Sequence, residues 1–287
     1  MPSSPGQDFP VLRAQLHQLG LRSRDPARLA GFYGDTLGYR FEPLGAGFRG
    51  RALDRRLDIV PGPDKSLAYA AFRLDDHTDL AALRARLDAA GVACEEADPS
   101  IFPEGGVRLA DPDGNVFIFG IGDTAGMDLA ASSDNSRPAR LQHVVFASTD
   151  AERLASFFVE VLGFRLSDRV LENGELRTAF VRCSHEHHSL AVFAASQCRL
   201  DHHCYEVGEW NLIRDWADHF AGLRVPLEWG PGRHGPGNNL FLFVHDPDGN
   251  WVELSAELEH VASDREAGEW PHEERTLNSW GTGLLRK

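Results

Sequence analysis

Residues 141–166, LQHVVFASTDAERLASFFVEVLGFRL, repeat a stretch found 125 positions earlier, LHQLGLRSRDPARLAGFYGDTLGYRF at 16–41. With Asp25 set on Asp150, Arg28 meets Arg153, Leu29 meets Leu154, Ala30 meets Ala155 and Phe32 meets Phe157. Leu37 then meets Leu162, Gly38 meets Gly163 and Arg40 meets Arg165, without a gap. Each copy reads as a half-buried strand, then an amphipathic helix with apolar residues at helical spacing, then a glycine where a helix C-cap belongs, then another strand. The copies differ at one telling place: His143 stands where the first copy has Gln18.

A second correspondence closes each half. DPDGNVFIFG from Asp111 pairs with DPDGNWVELS from Asp246, a tight turn running into an apolar strand. The chain therefore reads as two copies of one domain, residues 12–122 and 139–257, joined by a small, polar linker at 123–138 and followed by a tail at 258–287. Within each half two smaller units recur. LQHVVF leads to SLAVF, then RLDHHCYEV, the helical WNLIRDWADHF, and strands near 226–229, 240–244 and 251–254. SLAYAAFRL and TDLAALRARLDAAG occupy the matching places in the first half. Strand, helix and several strands, four times over, define an α+β protein.

Length and composition fit this reading. The 287 residues, 42% hydrophobic and 25% charged, suffice for two cores. A formal charge of −14 excludes a nucleic-acid surface, which needs clustered cations. No apolar run has the length of a membrane span and the first residues lack a signal-peptide pattern. Cys94, Cys183, Cys198 and Cys204 form no metal or disulfide framework, so reduced thiols and a cytoplasmic location are expected.

His143, His202 and Glu253 stand out in the second half, each on a separate strand. Two imidazoles and a carboxylate are the ligand set of non-haem Fe(II) with positions left open, and Mn(II) accepts the same set. In the first half Gln18 replaces His143 and Ile118 replaces Glu253, while the counterpart of His202 falls near Tyr69. A packing reading stands beside this one, since buried histidines are often satisfied core residues. Glu253 is the most telling of the three, because it interrupts the apolar run WVELSA, where an unpaired carboxylate is costly. His203 rivals His202, and strand alternation lets only one point inward.

LQHVVF with Asp150 seven residues after its histidine, EHHSLAVF, LDHHCYEV, GRHGPGNNLFLF and DPDGNWVEL, in this order, resemble the vicinal oxygen chelate superfamily and its two-domain type I extradiol ring-cleaving dioxygenases. The resemblance spans residues 12–257. It implies four βαβββ modules paired into two tandem barrel-like domains, with iron only in the second. It also implies cleavage of a catechol-like diol by O2 beside its hydroxyls, and a homo-oligomer. His143, His202 and Glu253 match the ligands. His188 matches a residue that handles protons around bound oxygen, and His234 one that hydrogen-bonds substrate. Phe243 and Cys204 are read as pocket residues. Phe243 departs from the pattern, which has a Tyr there, ten residues before the carboxylate. Tyr205 and His245 are near enough in sequence to supply another polar group, and Trp229, Trp251 and Phe241 to join an aromatic wall. His185 and His187 read as solvated loop histidines. Two rival functions share the scaffold: a glyoxalase-like isomerase or lyase, with which Gln18 agrees and Ile118 does not, and a metal-free small-molecule binder.

Overall fold

The computed structural model describes residues 11–122 and 137–285; linker positions 123–136 lie outside the described residues. The first module is β1 (Ala14–Ser23), α1 (Pro26–Leu37), β2 (Arg40–Leu44), β3 (Gly47–Ala52) and β4 (Arg55–Pro61). The second is β5 (Ser66–Leu74), α2 (His77–Ala89), β6 (Cys94–Glu96), β7 (Gly106–Ala110) and β8 (Val116–Gly120). The third is β9 (Arg140–Ser148), α3 (Ala151–Ser156) continued by a π-helical turn (Phe157–Val161), β10 (Arg165–Glu172), β11 (Glu175–Arg182) and β12 (Leu190–Ala194). The fourth is β13 (Arg199–Gly208), α4 (Trp210–Gly222), β14 (Trp229–Arg233), β15 (Leu240–His245) and β16 (Trp251–Ala256). Four βαβββ units thus follow one another as the sequence pattern requires. The tail adds β17 (Gly268–Pro271) and α5 (Glu274–Leu277).

Local chemistry explains the repeated helix. Asp25 and Asp150 each cap it, their carboxylates accepting from the backbone N–H of Arg28 and Arg153 at 3.1 and 3.0 Å. Gly38 ends α1 in the left-handed region at φ 69°, where a Cβ would be strained. β9 departs from the half-buried expectation: all but its first residue are buried. Leu141, Val144 and Phe146 join the main apolar core, while His143 and Val145 face a cavity.

Each half forms one sheet, ordered β2-β3-β4-β1-β5-β8-β7-β6 and β14-β15-β16-β13-β9-β12-β11-β10-β17. The modules join through antiparallel pairs, β1 with β5 and β9 with β13. Register is the same in both halves. Gln18 faces Ala71, which faces Ile118; His143 faces Cys204, which faces Glu253. Two residues before Ala71 and Cys204 stand Tyr69 and His202, so Tyr69 is the structural counterpart of His202. One apolar core includes residues of both halves, such as Leu19, Phe117, Phe146 and Leu254. Polar ties cross it, among them the Tyr33 hydroxyl donating to Asp246 at 3.0 Å and paired hydroxyls of Tyr39 and Tyr205 at 3.1 Å.

Candidate metal centre and its pocket

β9, β13 and β16 are neighbours in the second sheet, and they bring His143, His202 and Glu253 together. One donor atom from each lies within 4.8 Å of the others. Glu253 Oε2 is 3.1 Å from His143 Nε2 and 3.3 Å from His202 Nε2. All three residues are buried. His203, the neighbour of His202, turns the other way and meets the Tyr33 hydroxyl at 3.1 Å.

Two outer contacts decide what these atoms want. His202 Nδ1 lies 2.6 Å from Asp201 Oδ1, so it donates to that carboxylate. His143 Nδ1 meets Gln142 Oε1, and the Gln142 amide nitrogen donates to the His188 carbonyl at 2.7 Å, which fixes the amide oxygen toward His143. In their neutral forms both rings therefore carry hydrogen on Nδ1 and present a lone pair at Nε2. In that neutral form two lone pairs and a carboxylate oxygen converge in a buried interior. Such an arrangement calls for a cation. Two imidazole nitrogens and one carboxylate on one side of a cavity fit Fe(II), with the cavity side left for substrate.

Burial and neighbouring charge act differently on the three groups. Burial pushes His143 toward its neutral, ligating form. Burial acts on His202 too, but Asp201 and Glu253 outweigh it and raise its pKa. Burial alone would raise Glu253, and the neighbouring histidines hold it well below the usual carboxylate range. The carboxylate is thus kept anionic.

The centre opens into a pocket lined by Val145, Phe180, Phe193, Trp229, Pro236 and Phe243, with Thr276, Leu277 and Leu284 from the tail. Both expected pocket histidines stand on its wall. His188 has its ring centroid 4.5 Å from that of His143, and burial holds it well below the usual histidine range. His234 donates from Nδ1 to the Leu277 carbonyl at 2.6 Å, and its Nε2 is 3.6 Å from Glu253 Oε1. Phe243 sets its edge against His202 at 5.3 Å and stacks on Trp229 at 5.3 Å.

Several expectations need correction. Cys204 does not line the pocket; it is fully buried beside Glu253 in the strand pairing, below the cavity wall. Tyr205 and His245 do not replace the missing tyrosine. Tyr205 bonds Tyr39 on the far side of the sheet, and His245 packs on Trp251 near Glu228. Phe241 and Trp251 lie outside the cavity wall, supporting His234 and Phe243 from behind. His185 is exposed as expected, but His187 is fully buried, bridging His188 and Asp168. Sequence reading also missed Gln142, Asp201 and Asp168. The first two were visible as polar neighbours of the ligand histidines; Asp168 had no such signal.

The first half fills the equivalent place with neutral and paired groups. Gln18 donates to the Tyr69 hydroxyl at 2.7 Å, Tyr69 donates to Asp58 at 2.7 Å, and Arg49 binds Asp58 through two nitrogens. Ile118 packs with Ala71, Ala97, Ile101 and Phe102.

A tandem βαβββ chain with one buried His–His–carboxylate centre defines a class, and comparison with known proteins places it. Residues 140–254 match the Glyoxalase/Bleomycin resistance protein/Dioxygenase superfamily model, and residues 18–119 match a Glyoxalase-like domain. The chain is 30% identical over 240 residues to Metapyrocatechase 2 of Cupriavidus necator, covering 77% of this chain and 73% of that protein. It is 27% identical over 246 residues to an iron-dependent extradiol dioxygenase of Rhodococcus jostii, covering 79% and 81%. The fold matches homoprotocatechuate 2,3-dioxygenase of Brevibacterium fuscum, in a complex with 3,4-dihydroxyphenylacetate, with TM-score 0.82, 23% identity, and 98% and 93% of the two chains covered. The chain belongs to the Glyoxalase/Bleomycin resistance protein/Dioxygenase superfamily. Within it, the chain is a two-domain member of the extradiol ring-cleaving dioxygenases.

Proposed function

We propose that this protein cleaves a catechol-type aromatic diol with O2, breaking the ring beside its two hydroxyls, with Fe(II) held by His143, His202 and Glu253. The convergence of two Nε2 lone pairs and one anionic oxygen beneath an aromatic pocket carries this reading. It disfavours a metal-free binder, which has no use for a cation-ligand set buried beneath its pocket. It also disfavours a glyoxalase-like centre, because Gln18 is spent on Tyr69 and Ile118 is packed in an apolar cluster.

Held by His143, His202 and Glu253, the ion would supply Lewis acidity that eases loss of a diol proton. The protein does the rest. Phe180, Phe193, Trp229 and Phe243 take the ring and exclude water. With Phe243 in place of a phenol, the proton work in the pocket falls to His188 and His234. His234, its Nδ1 committed to Leu277, offers Nε2 to a diol hydroxyl.

The substrate class follows from the wall. Among the described residues no lysine or arginine lines the pocket, and the Thr276 hydroxyl is already donated to the Pro271 carbonyl. A carboxylate on the substrate would enter without a partner. Neutral, apolar-substituted catechols are therefore the preferred class. The test is oxygen uptake and formation of a yellow ring-opened product by Fe(II)-loaded protein across a catechol panel. Alkyl- and arylcatechols are expected to exceed 3,4-dihydroxyphenylacetate in kcat/KM by on the order of ten- to a hundredfold. No turnover on the whole panel would remove the reading; a preference for the carboxylated diol would remove the substrate assignment alone.

A further inference from the structure

His187, outside the metal ligand set, is buried between two other polar groups. Its Nε2 is 3.0 Å from Asp168 Oδ2, and its Nδ1 is 3.0 Å from His188 Nδ1. Asp168, on β10, is itself fully buried. It accepts from Arg265 at 2.9 Å, from the Gly268 backbone N–H at 3.0 Å and from the Trp270 indole at 2.7 Å. All three donors come from the tail. Two glycines give the array room. A Cβ on Gly268 would stand 2.6 Å from Asp168 Oδ1, and one on Gly237, whose φ is +76°, would stand 3.1 Å from His187 Nδ1.

We propose that Asp168 and His187 are positioning residues that hold His188 with its hydrogen on Nδ1, so that Nε2 faces the pocket as a lone pair, and that the tail completes the array by clamping Asp168. The reasoning is a chain of donor and acceptor roles. A carboxylate ringed by three donors is anionic and only accepts. A ring nitrogen bearing a lone pair would be repelled by that carboxylate at 3.0 Å, so the single hydrogen of a His187 imidazole sits on Nε2, close to Asp168 though not aligned for a hydrogen bond, and its lone pair sits on Nδ1. His188 must donate to it from its own Nδ1, leaving Nε2 for the cavity that His188 lines. Held so, the His188 Nε2 lone pair stands on the pocket wall as an acceptor for a substrate hydroxyl.

The turnover arm of the test rests on the ring-cleavage reading, while the spectroscopic arm does not. In metal-free, 15N-histidine-labelled protein, long-range 1H–15N spectra are expected to show His188 in the Nδ1–H form. His187→Gln keeps a carbonyl oxygen able to accept from His188; His187→Leu removes it. The Gln variant should keep the tautomer and stay within about threefold of wild-type kcat. The Leu variant should lose the single tautomer and fall about ten- to a hundredfold in kcat, with KM within about threefold. An Nε2–H tautomer in the wild type, or equal losses in the two variants, would overturn the proposal. Should His187→Leu not fold, the wild-type tautomer still decides it. Absence of turnover with every diol would strike the ring-cleavage reading and leave the spectra to judge the array.

Discussion

At the scale of single residues, the functional content lies in which nitrogen of each histidine is already occupied. The His143 and His202 rings spend Nδ1 on Gln142 and Asp201, which aims both Nε2 atoms at Glu253. The three candidate ligand positions were legible in the sequence because the first copy has Gln18, Tyr69 and Ile118 there, and a repeat compares a chain with itself. The fate of His187 was not legible. A histidine in EHHSLAVF reads the same whether it is solvated or buried, and Asp168, Gly237 and the tail, all apart from it in sequence, enclose it. Glu253→Gln keeps the shape and the Asn239 contact of the carboxylate but removes its charge. The variant is expected to fold and to lose on the order of a hundredfold or more in Fe(II) affinity. Its metal content after dialysis against Fe(II) at graded concentrations is the check, and wild-type affinity in the variant would mean the centre does not hold a cation.

At the scale of elements, strand register does the assembling. The step from His143 to Cys204 to Glu253 is set by two ladders, and one residue of slip in β13 would present His203 instead of His202. Helix, cap and turn signals made the four modules readable, since those are local. β17 was not readable: four residues pair in parallel with β10 from about a hundred positions away, and nothing local announces such a contact. Trp270 of the tail donates its indole N–H to Asp168 at 2.7 Å. Removing residues 262–287 takes away β17, α5, the clamp on Asp168, the carbonyl that holds His234 and three residues of the pocket wall. The proposed metal ligands on β9, β13 and β16 remain. The truncated chain should bind Fe(II) in the wild-type ratio yet fall about a hundredfold in kcat/KM. Parallel measurement of metal content and turnover separates this from simple unfolding, and near-normal turnover would show the tail to be incidental to the pocket.

At the scale of the whole molecule, duplication has separated structure from chemistry. The first half closes its cavity position with Gln18, Tyr69, Asp58 and Arg49, every group paired, and lends Tyr33 and Tyr39 to the contact with the second. The second half gathers His143, His202 and Glu253 beneath its pocket, and the tail is fastened over it through Asp168. That fastening has a pH signature. Burial acts to raise the Asp168 carboxyl, but His187, Trp270 and Arg265 outweigh it and bring its pKa down to about 2. An unfolded aspartate titrates near ~3.9. A carboxyl whose folded value is depressed contributes stability that is full above the unfolded value and is lost as pH falls toward the folded one. Asp168→Asn, equal in shape but without charge, should therefore melt below wild type by a constant margin from pH 7 to about pH 5, and the margin should shrink as pH falls from about 4 toward 2. Thermal melts of both proteins in matched buffers at pH 7, 5, 4 and 3 read this directly. A margin unchanged at pH 3 would mean that the charge of Asp168 does not fasten the tail.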